Sequence, residues 1–242
     1  MELRIFQKGF NYSQDGPGNR LVYHLSGCNL RCPWCSNPEG LTPGGGTARS
    51  VDTLVAEAES CRMMFFDGGG VTLTGGEVTV QFEAAKEFLT RLKESGIHTA
   101  IETNGIHPRL PELFPLVDHL IMDCKHYDPE IHRRVTGGSN ALTHRNIARA
   151  VEAGKYPAVR IPLIGGFNAG PEDAEKFAAL FASLGLIGNG TVELLPYHEF
   201  GKEKYKTCGM EYTMTDAARI TPETLQAFTR ILRTAGIDVI HT

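Results

Sequence analysis

The stretch Arg20-Leu21-Val22-Tyr23-His24-Leu25-Ser26-Gly27-Cys28-Asn29-Leu30-Arg31-Cys32-Pro33-Trp34-Cys35 decides how this chain is read. Its first six residues form a β-rich apolar run. That run feeds into a loop carrying three thiols in a C-x3-C-x2-C spacing. Thiolates are soft ligands that select zinc, Cu(I) or iron–sulfur clusters. A structural zinc site needs four protein ligands, whereas Cys61 lies beyond a predicted helix and Cys208 far along the chain. On a cubane cluster, three thiolates leave one iron for a small molecule. A zinc knuckle, three incidental thiols and an iron–sulfur loop are the readings of these residues. Cys61, Cys124 and Cys208 are expected to be ordinary thiols with no ligand role.

Working outward, strands alternate with helices. After the cysteine loop, Ser50 is a helix cap for Val51, Leu54, Val55 and Ala58. Val71–Thr74 is a strand, and Phe82, Ala85, Phe88, Leu89 and Leu92 mark a second helix. Further strands are expected at Thr99–Glu102, His119–Asp123, Ala158–Pro162, Thr191–Leu195 and Ile237–Ile240. Helices are expected around Ile147–Val151, after Pro171 and after Pro222. This alternation implies an α/β fold with a mainly parallel sheet. Six or seven strands fall short of the eight of a complete barrel, so the expectation is an open, partial (β/α)6-type barrel.

In such folds the chemistry sits in loops at the C-terminal ends of strands. Conspicuous residues fall at those predicted ends: Cys28 to Cys35, Gly75-Gly76-Glu77, Glu102-Thr103-Asn104, Asp123 with Lys125, Arg160, and His198. They come from six different strands, and this topology would carry them to one rim. This tilts the thiol loop toward the iron–sulfur reading.

Composition narrows the function classes. The 242 residues fit one domain over 1–242, with no linker strong enough to divide them. Lys+Arg total 24 against 28 Asp+Glu, a net charge of −4, which argues against a nucleic-acid surface. No apolar run approaches the ~20 residues of a membrane span. The opening Met1-Glu2-Leu3-Arg4-Ile5-Phe6-Gln7-Lys8 has no apolar h-region, so a cytoplasmic protein is expected. Bunched thiols in such a chain point to metal or redox chemistry rather than disulfides.

At these residues the chain resembles the radical S-adenosylmethionine (SAM) superfamily, and within it the glycyl-radical-enzyme activases of the pyruvate formate-lyase type. The resemblance runs through Asp15-Gly16-Pro17-Gly18, Cys28 to Cys35, Gly69-Gly70-Val71-Thr72, Thr74-Gly75-Gly76-Glu77, Gly96-Ile97-His98-Thr99, Glu102-Thr103-Asn104-Gly105, Asp123 with Lys125, and Leu194-Leu195-Pro196-Tyr197-His198-Glu199. It implies the radical SAM fold, with one [4Fe–4S] cluster on Cys28, Cys32 and Cys35 and with SAM on the open iron. It implies reductive cleavage of SAM to methionine and a 5′-deoxyadenosyl radical, which takes a glycine Cα hydrogen from a partner glycyl radical enzyme. An electron donor of flavodoxin or ferredoxin type and a monomeric activase are also implied. A radical SAM enzyme acting on a small molecule, or an activase of a different glycyl radical enzyme, are the alternatives.

Site roles carry over position by position. Trp34, Gly75, Gly76, Glu77, Asn104, Lys125, Arg160 and His198 would hold SAM. Glu102, Thr103 and Asp123 match a monovalent-cation site, a role suited to oxygen ligands. Asp15 and Gly16 would face the partner's glycine segment. The chain departs from the family in Ser36, where His often follows the third cysteine, and in Glu102, where Asp is expected. No cysteine-rich insert follows Cys35, so no auxiliary cluster is expected.

Overall fold

The computed structural model describes residues 1–241. Its backbone divides into two compact units. The first comprises Met1–Asn29, Glu39–Thr103 and Arg109–Ile121; the second comprises Leu30–Pro38, Asn104–Pro108 and the chain from Met122 onward.

In the first unit, β1 (Glu2–Tyr12) lies antiparallel between β3 (Thr47–Ser50) and β2 (Asn19–Leu25). Strand β2 runs parallel to β4 (Gly70–Gly75), and β4 to β5 (Thr99–Thr103). Helix α1 (Val51–Ser60) starts where Ser50 accepts a hydrogen bond from the Thr53 amide, and it buries Val51, Leu54, Val55 and Ala58. Helix α2 (Phe82–Glu94) buries Phe82, Ala85, Phe88, Leu89 and Leu92, the predicted stripe. Strand β6 (His119–Asp123) is shared between the units.

In the second unit, β7 (Ala158–Leu163) runs parallel to β8 (Thr191–Pro196), and β8 to the short β9 (Val239–Ile240). Helix α3 (Pro129–Thr136) is capped by Asp128, which accepts from the amides of Glu130 and Ile131. Helix α4 spans Ala141–Glu152, α5 spans Pro171–Ser183, the short α6 spans Lys202–Thr207, and α7 spans Pro222–Thr234. Pro171 and Pro222 each occupy a first helical turn, where no amide hydrogen is needed. Phe177 packs against Phe181 and Phe228, joining α5 to α7.

Two strands and two helices depart from the sequence reading. Strand β1 escapes the alternation rule because its outer half, Gln7–Phe10, is exposed. Strand β3 has only four residues, none of them large and apolar. Helix α3 buries His132 and Thr136, so its inner face carries polar side chains. Helix α6 buries a single residue, Tyr205.

Candidate functional site

Each unit presents its share of the anticipated residues at or near the C-terminal ends of its own parallel strands. In the first unit, β2 ends at Leu25, opposite Gly75 of β4 in the parallel register. The chain then turns through Gly27 to Cys28. The two loops are tied by backbone: the Gly76 amide donates to Leu25 O at 2.8 Å, and the Glu77 amide to Gly27 O at 2.7 Å. Only glycine fits at position 76, because a Cβ there would stand 2.1 Å from Gly27 O and 2.6 Å from Gly40 O. Gly75 has φ +108°, a conformation that L side chains rarely adopt.

Glu77 is buried, and its Oε1 accepts from the Thr79 amide (3.0 Å), the Thr79 hydroxyl (2.7 Å) and the Thr103 hydroxyl (2.6 Å). Its carboxylate therefore orders the turn after β4 and the end of β5. Glu102, next to Thr103, takes the opposite face of the strand, where its Oε2 accepts from the Thr74 hydroxyl at 2.7 Å. Two of the anticipated cation ligands thus direct their side chains to different faces of one strand.

Asp15 and Gly16 lie in the hairpin turn between β1 and β2, at the start of β2, whereas Cys28 follows its end. A seven-residue strand separates them by about 20 Å. Arg20 holds this turn. Its buried guanidinium donates to Pro17 O at 3.0 Å and to the Thr72 hydroxyl at 2.6 Å, and Thr72 in turn donates to Asp15 O. Burial pulls the Arg20 pKa down to about 10, so the group remains a cation at neutral pH.

In the second unit, Cys32 and Cys35 bound a tight turn in which the Cys35 amide donates to Cys32 O at 3.1 Å. Trp34 is buried and packs on Phe167, ring centroids 4.9 Å apart. Asp123 and Lys125, at the end of β6, form an ion pair at 2.6 Å. Asn104 folds an Asx turn, its Oδ1 accepting from the Ile106 amide at 3.0 Å. His198, after β8, accepts from the Phe200 amide at Nδ1 and stacks on the exposed Phe200 ring. Burial lowers its pKa, so the imidazole is neutral and its Nε2 carries the proton.

One expected location is corrected. Arg160 lies mid-strand in β7, and its Nε meets Glu193 Oε2 of β8 at 2.8 Å. It is a buried, charge-balanced residue rather than a loose cation at a strand end.

The sequence reading missed a clasp on the cysteine loop. Tyr205 Oη donates to the carbonyls of Cys32 and Pro33, each at 3.3 Å, and Lys204 Nζ donates to Asn37 Oδ1 at 2.9 Å. Gly201 approaches so closely that a Cβ would stand 2.3 Å from Cys35 O. A lone aromatic in the charged run Lys202-Glu203-Lys204-Tyr205-Lys206 was the available signal.

None of the six cysteines forms a disulfide. Burial pushes the Cys124 thiol well above its ordinary range, in keeping with an inert core residue. The donor set of Cys28, Cys32 and Cys35 fits an iron–sulfur cluster by type and number. Among the described residues no group of three His, Cys, Asp or Glu side chains is gathered as a metal site. No helix among those residues is long and apolar enough to cross a membrane.

Comparison with known proteins bears on this arrangement. The radical SAM superfamily model matches residues 22–181. The pyruvate formate-lyase 1-activating enzyme of Escherichia coli strain K12 is 32% identical over 238 residues, covering 93% of each chain. The pyruvate formate-lyase-activating enzyme of Staphylococcus aureus strain USA300 is 32% identical over 234 residues, covering 92% of each. A crystal structure of a domain of pyruvate-formate lyase-activating enzyme from Bacteroides vulgatus superposes with a TM-score of 0.58 at 28% identity, covering 72% of this chain and 98% of that one.

Proposed function

The chain belongs to the radical SAM superfamily, and we propose that it serves there as an activase of a glycyl radical enzyme of the pyruvate formate-lyase type. The observation that carries this reading is the three-thiol loop directly after β2, in a chain 32% identical to the activating enzymes over 93% of its length. The superfamily works with a [4Fe–4S] cluster and SAM, which supply reductive SAM cleavage and a hydrogen-abstracting radical when bound.

The chain's own residues bind, orient and exclude water. Cys28, Cys32 and Cys35 hold the cluster. Gly75 and Gly76 bring backbone close to the SAM amino group. With the Gly76 and Glu77 amides already committed, carbonyl oxygens are the groups suited to an ammonium donor. Glu77 acts through this turn by holding Thr79 and Thr103 in place. Lys125 and Arg160 supply positive charge toward the SAM carboxylate, each tempered by a carboxylate of its own. His198 offers an Nε2 donor and a ring to the nucleoside, with Trp34 and Asn104 completing the pocket.

Glu102, Thr103 and Asp123 are assigned to a monovalent cation, with Thr103 suited to contribute backbone rather than its hydroxyl. Asp15 and Gly16 are assigned to the partner's surface rather than to the cofactor. The chain is read as one radical SAM domain without an auxiliary-cluster insert, as a cytoplasmic monomer, and as taking its electron from a flavodoxin- or ferredoxin-type donor.

The test is anaerobic incubation of the reduced, reconstituted protein with SAM and a pyruvate formate-lyase, read by electron paramagnetic resonance. A glycyl radical doublet supports the reading. SAM cleavage without a protein radical on any glycyl radical enzyme supplied would move the assignment to a small-molecule substrate. Colourless protein with one zinc per chain would overturn it altogether.

A further inference from the structure

Helix α6 has little reason to exist as a packing element. It is six residues long, five of them polar, and buries only Tyr205. Contacts from Gly201, Lys204 and Tyr205 bear on the cysteine turn or on the segment around it. Tyr205 Oη shares its proton between the carbonyls of Cys32 and Pro33, 3.3 Å from each. Gly201, just before the helix, sits against Cys35 O in space that a methyl group would close. Lys204 reaches Asn37 at 2.9 Å, two residues beyond Cys35. Three points from one turn of chain thus pin Cys32, Pro33, Cys35 and Asn37.

The far side of Tyr205 is braced as well. Its ring meets Tyr212 edge-on with centroids 5.0 Å apart, and the Tyr212 hydroxyl is 2.7 Å from that of Tyr197. Tyr197 stands beside His198 at the end of β8.

We infer that Tyr205 is a positioning residue for the cluster. By donating to the Cys32 and Pro33 carbonyls, it sets the turn from which two of the three thiolates are presented. The inference rests on the cluster assignment above. A turn held at both carbonyls presents its thiols with less freedom to swing away, so cluster retention and the electronic structure of the reduced cluster should both depend on this hydroxyl. Groups that hold ligating residues from behind typically contribute 10–100-fold in metal affinity. For a neutral, shared hydrogen bond the low end applies, about 10-fold.

The test compares wild type, Tyr205→Phe and Gly201→Ala after identical anaerobic reconstitution of the full chain. Wild type must first show a [4Fe–4S] signal; failure there sinks the cluster assignment, not the role of Tyr205. Tyr205→Phe keeps the ring and is expected to retain the thermal midpoint within a few degrees. It should lose iron to a chelator about 10-fold faster and alter the resonance signal of the reduced cluster. Gly201→Ala keeps the hydroxyl but lifts it off the turn, and it should reproduce both changes. If Tyr205→Phe loses iron at the wild-type rate with an unchanged signal, the inference is overturned. A lowered melting point with an unchanged cluster signal equally overturns it, since that would show a purely structural role. If Tyr205→Phe does not fold, Gly201→Ala is read by the same two criteria.

Discussion

Arg160 and Glu193 occupy paired positions on β7 and β8, with Nε 2.8 Å from Oε2 and side chains only 8% and 5% exposed. Each charge is sustained in the interior by the other. Glu193→Ala would leave the guanidinium without this counter-ion and is expected to cost about 3–5 kcal/mol of folding stability. Glu193→Gln, which keeps an acceptor, should cost less. Urea denaturation of the three proteins checks the order. A loss below ~1 kcal/mol for Glu193→Ala would show that Arg160 does not depend on this carboxylate.

The thiols should separate cleanly into two classes. Replacing Cys28, Cys32 or Cys35 by Ala should drop bound iron from about four per chain to a small residue, with loss of the brown colour. Replacing Cys61, Cys124 or Cys208 should leave iron content unchanged. Colorimetric iron assay after anaerobic reconstitution distinguishes the sets. Retention of a full cluster in any of the first three variants would refute the ligand assignment.

Gly76→Ala puts a methyl group where Gly27 O and Gly40 O already stand. The two loops must part, lengthening the Gly76-to-Leu25 hydrogen bond. Overpacking of this kind costs roughly 1–3 kcal/mol. The variant should melt lower and bind SAM more than 10-fold more weakly by isothermal titration calorimetry. Wild-type SAM affinity in a destabilised variant would show that the turn supports the fold but not the ligand.

His132 gives the fold an acid-sensitive element. It is buried, its Nδ1 donates to Gly138 O at 2.5 Å, and burial lowers its pKa from 6.5 to about 4. Between those values the unfolded chain takes up a proton that the folded chain refuses, so stability falls as pH falls from about 6.5 to 4. The full effect is on the order of 3 kcal/mol. His126 and His144, whose pKa values burial also lowers, add in the same direction. Urea midpoints at pH 7, 5.5 and 4.5 should decline steeply for wild type and less steeply for His132→Gln. Parallel declines would exclude His132 as a contributor.

Much of the candidate site was legible in the primary structure because its signals are local. The C-x3-C-x2-C spacing, the glycines at 75 and 76, and the cap at Ser50 depend on residues a few positions apart. Apolar periodicity likewise revealed the helices that bury apolar stripes. Helices α3 and α6 stayed hidden because their inner faces carry His132, Thr136 and Tyr205 rather than an apolar stripe.

Legible in the residues alone are the strand–helix alternation, the three clustered thiols proposed as ligands and the glycine pair at 75 and 76. Which charges meet follows from long-range packing. Arg160 faces Glu193 through strand register, 33 residues apart, and Tyr205 reaches Cys32 across 173. Glu77 is drawn onto Thr103 rather than left at a loop tip. These pairings follow from how strands align and which buried polar groups must find partners, and neither condition is written in the spacing of neighbouring residues.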